Sequence, residues 1–246
     1  MTNSVDQKEI QQFSKDSGQW WDENGPFKPL HRLNPVRLSY IKAQICEHYG
    51  RDMNALDAFK GLDILDIGCG GGLVCEPLAR LGGNVTGADA DAQAIEVACA
   101  HADESGLEIA YINGAAEDIE KQFDVVLALE IIEHVTSPAE FVQNVARLVK
   151  PSGLVIFSTL NRNPKSFLLG IVAAEHILKW VPKGTHSWNK FIKPSELSRY
   201  ARGAGLKPHD VTGLIFNPLK DEFALSKRDL DVNYLLSASS TRHPAT

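Results

Sequence analysis

The feature of this sequence that most constrains its fold is a regular alternation of short apolar runs and helical patterns, which begins near residue 62. The apolar runs are rich in Val and Ile and occupy 62–67, 84–90, 108–112, 123–130 and 153–160. Helical patterns lie between them at 72–81, 92–105, 116–122 and 138–149. This alternation predicts βαβ units on a mostly parallel sheet with helices on both faces.

The segments on either side of the alternation predict further elements. Residues 35–49 form a helical pattern, and we expect residues 1–60 to make a helical cap over the ligand site of a domain that spans 61–246. A last helix would begin at Pro194 and end near Gly203 or Gly205. Strands near 207–216 and 231–239 would complete the sheet, and the last strand would be antiparallel.

Composition narrows the class of protein. The net charge of −6 argues against broad nucleic-acid binding, which needs an excess of Lys and Arg on one face. The four cysteines have neither a zinc-site nor a Cys-x-x-Cys spacing, which favours reduced thiols in the cytoplasm. The polar N-terminus does not have the apolar stretch of a signal peptide, so we expect the protein to stay inside the cell.

A glycine-rich turn, residues 66–72 (Asp-Ile-Gly-Cys-Gly-Gly-Gly), follows the first predicted strand. At this point of an open α/β sheet, such a turn lets a ligand approach the backbone closely. The dinucleotide fingerprint requires a small residue where Leu73 stands, so the match to it fails. Asp89 ends the second strand, where a carboxylate can accept both hydroxyls of a ribose. The pattern favours a nucleoside ligand; the alternative is a tight turn with Asp89 as an ordinary turn residue.

The acid and the glycines at alternate positions resemble motif I of class I S-adenosylmethionine-dependent methyltransferases. Longer stretches are similar to the O-methyltransferases of ubiquinone biosynthesis, among them WWDENGPFKPLHRLNPVRLSYI, LEIIEHV, FSTLNRNPKSFLLGIVAAEHILKWVPKGTH, KFIKPSEL and DVNY. These stretches lie between residues 20 and 234, and the resemblance covers roughly residues 13–236. The resemblance implies a Rossmann-like methyltransferase sheet. It also implies an enzyme that methylates phenolic hydroxyls of polyprenyl catechols at two steps of that pathway.

The same resemblance implies that Arg37, Gly68, Gly70, Asp89 and Leu129 contact S-adenosylmethionine. The guanidinium of Arg37 would pair with the carboxylate of the cofactor. An Arg on a predicted helix is otherwise a solvated surface charge. Leu129 would supply apolar contact at the end of the fourth strand, a role that is compatible with core packing.

Three polar residues, Glu130, Glu133 and His134, follow the fourth strand. On a helical turn their spacing places them on one face, where two carboxylates and an imidazole could hold a hard cation. The resemblance implies magnesium, which could lower the pKa of a bound catechol as a Lewis acid. One alternative is metal-free chemistry with His134 as the general base, and another is a purely orienting role. His134 and Glu130 are the candidate catalytic residues.

An amphipathic insert at about 162–190 interrupts the alternation. Residues 166–181 place apolar side chains at helical spacing, opposite a narrow strip formed by Glu175, His176 and Lys179. The stretch is too short and too polar to span a bilayer. It could lie in the lipid interface through about 164–183, with Trp180 at headgroup level and Arg162, Lys165, Lys179 and Lys183 nearby. The alternative is a buried helix that covers the site.

These expectations define an enzyme at the inner face of the membrane, held peripherally from the cytoplasm, with a polyprenyl catechol or quinol as its substrate. It could belong to a ubiquinone biosynthetic complex. Two other functions stay open from the sequence. One is an O-methyltransferase for a soluble phenol, for which the insert would be a lid, and the other is a lipid-binding assembly protein without turnover.

Overall fold

The computed structural model describes residues 14–167 and 188–242. Its strands form one eight-stranded sheet in the order β3-β2-β1-β4-β5-β8-β6-β7. Their bounds are β1 Asp63–Ile67, β2 Asn84–Asp89, β3 Ala110–Asn113, β4 Phe123–Leu129, β5 Val149–Leu160, β6 Leu206–Asn217, β7 Glu222–Ser226 and β8 Asn233–Ser240. Strands β1 to β5 are parallel, whereas β8 pairs antiparallel with both β5 and β6. The mostly parallel sheet with an antiparallel last strand is thus confirmed.

The α-helices in the described residues are α1 Lys28–Tyr49, α2 Cys75–Arg80, α3 Ala92–Glu104, α4 Pro138–Leu148 and α5 Pro194–Gly203. A helical turn at Pro164–Ser166 and 3-10 turns at Ser14–Gln19, Ala116–Asp118, Ile132–His134 and Trp188–Lys190 connect the larger elements. Helix α5 begins at Pro194, as its sequence pattern predicted, and Gly205 follows it with a φ of +76°.

Some boundaries differ from the sequence predictions for physical reasons. Helix α1 begins at Lys28 rather than at residue 35, because Pro29 fits the first turn of a helix and Pro35 is tolerated inside it. The pattern at 116–122 forms only the 3-10 turn Ala116–Asp118. Strand β7 was not predicted, because it is only five residues long and pairs with β6 alone.

The hydrophobic core lies on both faces of the sheet. One face packs against α4 and α5, whose buried side chains include Phe141, Val145 and Leu197. The other face packs against α1, α2 and α3, with Ile41 and Ile45 of α1 fully buried. Because α1 shares a core with β1 and β4, the N-terminal segment lies directly on the sheet; the boundary at residue 60 stays a prediction.

The topology brings one set of strand ends to a single edge of the sheet. Strands β1, β2 and β4 are parallel, so their carboxyl ends, at Ile67, Asp89 and Leu129, lie together. Because β8 is antiparallel, its first residue, Asn233, lies at the same edge, opposite Leu160 of β5. We call this the carboxyl edge; it is where open α/β sheets bind their ligands.

Candidate active site

Side chains from other parts of the fold pack closely against the glycine turn after β1. Gly68, Gly70 and Gly72 have φ values of +75°, +51° and +86°, which favour glycine. A Cβ at Gly68 would overlap Ile131, and one at Gly72 would overlap the hydroxyl of Tyr111. The glycines therefore make room for the protein's own side chains as well as for a ligand.

An N-terminal residue, Trp20, accounts for the other two glycines of the turn. A Cβ at Gly70 would overlap the six-membered ring of the Trp20 indole, and one at Gly71 would overlap its Cβ and Cγ. The indole stacks on Phe27 at 3.8 Å between ring centroids. Sequence reasoning missed this contact, although the WW pair had been noted in the family resemblance.

Several polar contacts fasten this N-terminal segment, residues 14–27, over the turn. Trp21 Nε1 donates to the carbonyl oxygen of Gly71 at 2.9 Å. His31 Nε2 donates to the carbonyl oxygen of Trp20 at 2.8 Å, and Ser17 Oγ donates to Asp91 Oδ2 at 2.6 Å. The segment thus joins α1 to the glycine turn.

Asp89 ends β2 at the carboxyl edge, where the sequence placed it. Its Oδ2 accepts a hydrogen bond from Gly70 N at 2.8 Å, and its Oδ1 accepts one from Asp91 N at 2.8 Å. Burial raises the pKa of this carboxyl, and the two backbone N–H groups oppose that rise. Each carboxylate oxygen keeps a second lone pair, so Asp89 can still accept ribose hydroxyls.

Arg37 is buried, with 5% of its surface exposed, so the alternative of a solvated surface charge is wrong. Its Nη2 lies 4.0 Å from Glu130 Oε1. Neither Nε nor Nη2 has a hydrogen-bond partner within the described part of the chain. Burial lowers the pKa of the guanidinium, and the charges of Glu130, Asp66 and Glu133 oppose this. Buried N–H groups without partners are costly, which points to an anionic ligand at this place.

Asp66, the acid that precedes the glycines, is buried close to Arg37 of α1. Burial raises its pKa to about 7, and the nearby positive charge of Arg37 opposes this rise. Cys75 Sγ donates to its Oδ2 at 3.5 Å.

Glu130 has a left-handed backbone conformation, with a φ of +53°, directly after β4. Such a conformation is strained for a side chain with a Cβ and often marks a functional position. Its carboxylate accepts from Ser158 Oγ at 2.6 Å and from Asn233 Nδ2 at 3.1 Å. Sequence reasoning missed Ser158 and Asn233, although both lie in stretches (FSTLNRN and DVNY) that carried the family resemblance.

Glu133 is bound by Thr159, the residue that follows the Ser158 bound to Glu130. Its Oε2 accepts from Thr159 Oγ1 at 2.8 Å, whereas no partner for Oε1 lies in the described ranges. Burial and then the charge of Glu130 raise the pKa of Glu133 to about 7. Ser158 and Thr159 are neighbours on β5 and therefore point to opposite faces. The two glutamates are thus bound by neighbouring residues of one strand, and they are close enough for the charge of Glu130 to act on Glu133.

The single helical turn expected for Glu130, Glu133 and His134 is wrong, whereas their role in a catalytic or metal site stays a prediction. The residues do not form one α-helical turn, because Glu130 is left-handed and only Ile132–His134 make a 3-10 turn. His134 is half-buried at the end of that turn. Across residues 14–167 and 188–242, no group of three His, Cys, Asp or Glu side chains is arranged to hold a metal ion.

Leu129 ends β4 with 7% of its surface exposed and belongs to the core beneath α1. Its packing role is therefore visible, and cofactor contact stays a prediction.

The described ends of the amphipathic insert carry cations that are already paired. Lys165 Nζ lies 3.1 Å from Asp229 and 2.9 Å from Asp231, and Arg162 pairs with Glu196. Phe167 is 48% exposed. Residues 168–187, with most of the expected lipid-facing stretch, lie outside the described residues. Within the helices that are described, none has the length and apolar character to cross a bilayer.

The eight-stranded sheet is that of class I S-adenosylmethionine-dependent methyltransferases, as solved structures confirm. A Synechocystis magnesium protoporphyrin IX methyltransferase with bound S-adenosylhomocysteine superposes with a TM-score of 0.65, at 17% identity over 95% of this chain and 96% of that one. A Burkholderia thailandensis 1,6-didemethyltoxoflavin-N1-methyltransferase gives a TM-score of 0.62, at 15% identity over 94% and 87% of the two chains. At these identities the likeness establishes the fold.

Sequence comparisons define the family. A methyltransferase-domain family matches residues 39–211. Ubiquinone biosynthesis O-methyltransferases from Dinoroseobacter shibae and Roseobacter denitrificans are 51% and 52% identical to this chain. The alignments cover 96% of this chain in both cases, and 97% and 96% of the relatives. The chain belongs to the family of ubiquinone biosynthesis O-methyltransferases. The predicted family, enzyme class and methyl donor, S-adenosylmethionine, are confirmed.

The overlap between Gly70 and Trp20 can be tested by substitution. Gly70→Ala adds a Cβ at positive φ, which strains the backbone by roughly 1 kcal/mol, and also forces it into the indole. Gly106→Ala is a matched control, because Gly106 has a φ of +64° with no atom within 4 Å of its Cβ position. We expect Gly70→Ala to lower Tm much more than Gly106→Ala does. Trp20→Ala in the same chain should recover part of that loss; strictly additive effects would contradict the contact.

The buried carboxyl of Asp66 makes stability depend on pH. Its folded pKa of about 7 lies above the ordinary value of 3.8, so folding takes up a proton between these values. Stability from this group is present at low pH and is lost as pH rises through 7. Asp66→Asn cannot ionise, so its Tm relative to the native chain should rise by several degrees, at about 2–4 °C per kcal/mol, between pH 4.5 and 8. The exposed Asp103→Asn should show no such trend, and parallel profiles for Asp66→Asn would refute the assignment.

Proposed function

We propose that this protein transfers methyl groups from S-adenosylmethionine to phenolic hydroxyls of polyprenyl catechols, at two steps of ubiquinone biosynthesis. The observation that carries the proposal is the buried Arg37, whose Nε and Nη2 have no hydrogen-bond partner among the described residues. It faces the carboxyl edge, where the glycine turn and Asp89 meet. An anionic amino-acid group would supply acceptors to Arg37, and a ribose could donate to the remaining lone pairs of Asp89.

Each cofactor contact follows from a separate element of the fold. Arg37 of α1 binds the carboxylate of the cofactor, the turn at Gly68 and Gly70 lies beneath its amino-acid part, and Asp89 accepts the ribose hydroxyls. Leu129 contributes apolar contact. Because the methyl donor carries its own leaving group, the protein has to align the acceptor oxygen with the sulfonium and methyl groups and to remove one proton.

The proton is removed at the turn after β4. Glu130 accepts hydrogen bonds from Ser158 and Asn233 and lies 4.0 Å from Arg37, an arrangement suited to positioning its neighbours. His134 ends the turn, is half-buried, and is an imidazole that can accept a proton near neutral pH. We therefore assign proton removal to His134 and positioning to Glu130.

The described residues do not include a group of three His, Cys, Asp or Glu side chains arranged to hold a metal ion, so none of the steps proposed here is routed through magnesium. Both Glu130 oxygens accept hydrogen bonds, and Glu133 is held by Thr159 on the opposite face of β5. The steps above use only groups that the chain supplies.

The proposal is tested by methyl transfer from labelled S-adenosylmethionine to a prenylated catechol and to a catechol without a tail. We expect transfer to both and a markedly higher kcat/KM for the prenylated one, because the tail adds apolar binding area. Asp89→Ala should weaken S-adenosylhomocysteine binding in calorimetry by about 2–3 kcal/mol, as loss of a charge-assisted contact implies. Asp103→Asn is the matched surface control.

Each rival function has its own outcome in that experiment. A preference for the tail-less catechol would indicate an enzyme for a soluble phenol. Cofactor binding without transfer to either catechol would indicate a lipid-binding assembly protein. Full cofactor affinity in Asp89→Ala would mean that the nucleoside lies elsewhere.

We further propose that the protein works from the cytoplasm at the inner face of the membrane, through the insert at about 164–183. The exposed Phe167 at the start of this insert supports the proposal, as does the long isoprenoid tail of the substrate. Lys165 and Arg162 contribute little, since acidic side chains already pair with them. Attraction to anionic lipid would then fall mainly to Lys179 and Lys183.

Co-sedimentation with liposomes tests the membrane contact. Phe167→Ser combined with Trp180→Ser should reduce binding to vesicles severalfold, because each change removes apolar area from the interface. Affinity for S-adenosylhomocysteine should stay the same. Leu219→Ser, at a side chain that is 96% exposed in the β6–β7 connection, serves as the control. Equal sedimentation of the double variant and the native chain would contradict the proposal.

A further inference from the structure

Helix α1 presents three polar side chains, at positions 31, 34 and 37, toward the carboxyl edge. Residues three apart on a helix are neighbours on its surface, so Asn34 adjoins His31 on one side and Arg37 on the other. His31 is bonded to the carbonyl oxygen of Trp20, above the glycine turn. Arg37, on the other side of Asn34, faces Glu130 and Asp66. Asn34 therefore lies between the glycine turn and the guanidinium.

Asn34 is buried without a complete set of partners. Only 7% of its surface is exposed, and its Oδ1 has no hydrogen-bond partner among residues 14–167 and 188–242. A buried carbonyl oxygen that accepts nothing is unfavourable, and a donor from a bound molecule would relieve that cost. One turn away, Arg37 has the opposite deficiency, since two of its N–H groups find no acceptor in the same ranges.

A zwitterionic ligand would supply both a donor for Asn34 Oδ1 and acceptors for Arg37 Nε and Nη2. An α-amino acid group carries a carboxylate, which accepts from N–H groups, beside an ammonium, which donates to oxygen. A neutral amide is well suited to the ammonium here, because an Asp at position 34 would form an ion pair with Arg37. That ion pair would compete with the cofactor carboxylate.

We propose that Asn34 Oδ1 accepts a hydrogen bond from the ammonium group of the bound cofactor, while Arg37 binds the carboxylate. The inference rests on the proposed function, since it takes S-adenosylmethionine as the ligand. Asn34 is then a cofactor-binding residue, and it favours ligands that carry the ammonium group over analogues that do not.

The test measures three ligands by calorimetry on the full chain: S-adenosylhomocysteine, its desamino analogue, and methylthioadenosine, which has no amino-acid end. Asn34→Leu removes the acceptor and keeps the same number of side-chain heavy atoms with the same branching. We expect it to weaken S-adenosylhomocysteine binding about 10- to 100-fold, as for a hydrogen bond to a charged group. The other two ligands should bind Asn34→Leu and the native chain equally well.

Gln44→Leu is the matched control, because it removes a buried amide from the same helix, away from the carboxyl edge. It should leave all three affinities unchanged. If Asn34→Leu does not fold, as judged by its thermal transition, Asn34→Ser is measured in its place and judged by the same ratio of affinities.

Three results would overturn the inference. Unchanged affinity of the Asn34 variant for S-adenosylhomocysteine would show that the ammonium has another partner. An equal loss for methylthioadenosine would show that Asn34 acts on the nucleoside or on the fold. Failure of the native chain to bind either S-adenosylhomocysteine or methylthioadenosine would overturn the proposed function itself, and the inference with it.

Discussion

The contact between Asp89 and the backbone of Gly70 is the interaction on which the site depends. It joins the ends of β1 and β2 across the carboxyl edge, at 2.8 Å between Gly70 N and Oδ2. Four of the five residues from Gly68 to Gly72 are glycines, and the absence of a Cβ at Gly70 and Gly71 lets the indole of Trp20 pack directly against the turn. The glycine-rich turn therefore contacts both the end of β2 and the N-terminal segment, at the edge of the sheet where the ligand is proposed to bind.

Charge is concentrated beneath α1 more than is usual for a protein interior. Arg37, Asp66 and Glu130 lie close together, and Glu133 contributes from the opposite face of β5. A buried cation of this kind is stabilised only when anions surround it. Two of the acids have pKa values raised to about 7, so they offer incomplete compensation at neutral pH. The remaining deficit is what an anionic cofactor group would fill.

The sequence predicted most of the strands well, because strands that are buried on both faces of a sheet appear as short continuous apolar runs. Position 89 was also predictable, since a strand end in a parallel sheet has a fixed place. The start of α1 was less predictable, because either Pro29 or Pro35 could have occupied the first turn of the helix. The geometry around Glu130 was missed, because sequence spacing does not reveal a left-handed residue that interrupts a helical turn.

Contacts between distant segments lay beyond sequence reasoning for a different reason. Nothing local to Trp20 indicates that its ring covers Gly70, and nothing local to Asn233 indicates that it binds Glu130, 103 positions earlier. Both residues lie in stretches shared with the family, but a shared stretch does not tell which atoms meet. Only the register of the sheet and the path of the N-terminal segment supply that information.

The position of β8 between β5 and β6 has a consequence for biosynthesis. During synthesis on a ribosome, β6 and β7 emerge before the strand that links them to the rest of the sheet. Until β8 arrives, β5 is left with an open edge able to pair with other chains, and Glu130 does not yet have its amide neighbour. We expect a nascent chain that stalls before β8 to be prone to aggregation and to have an incomplete site. Formation of the native sheet therefore has to wait for β8.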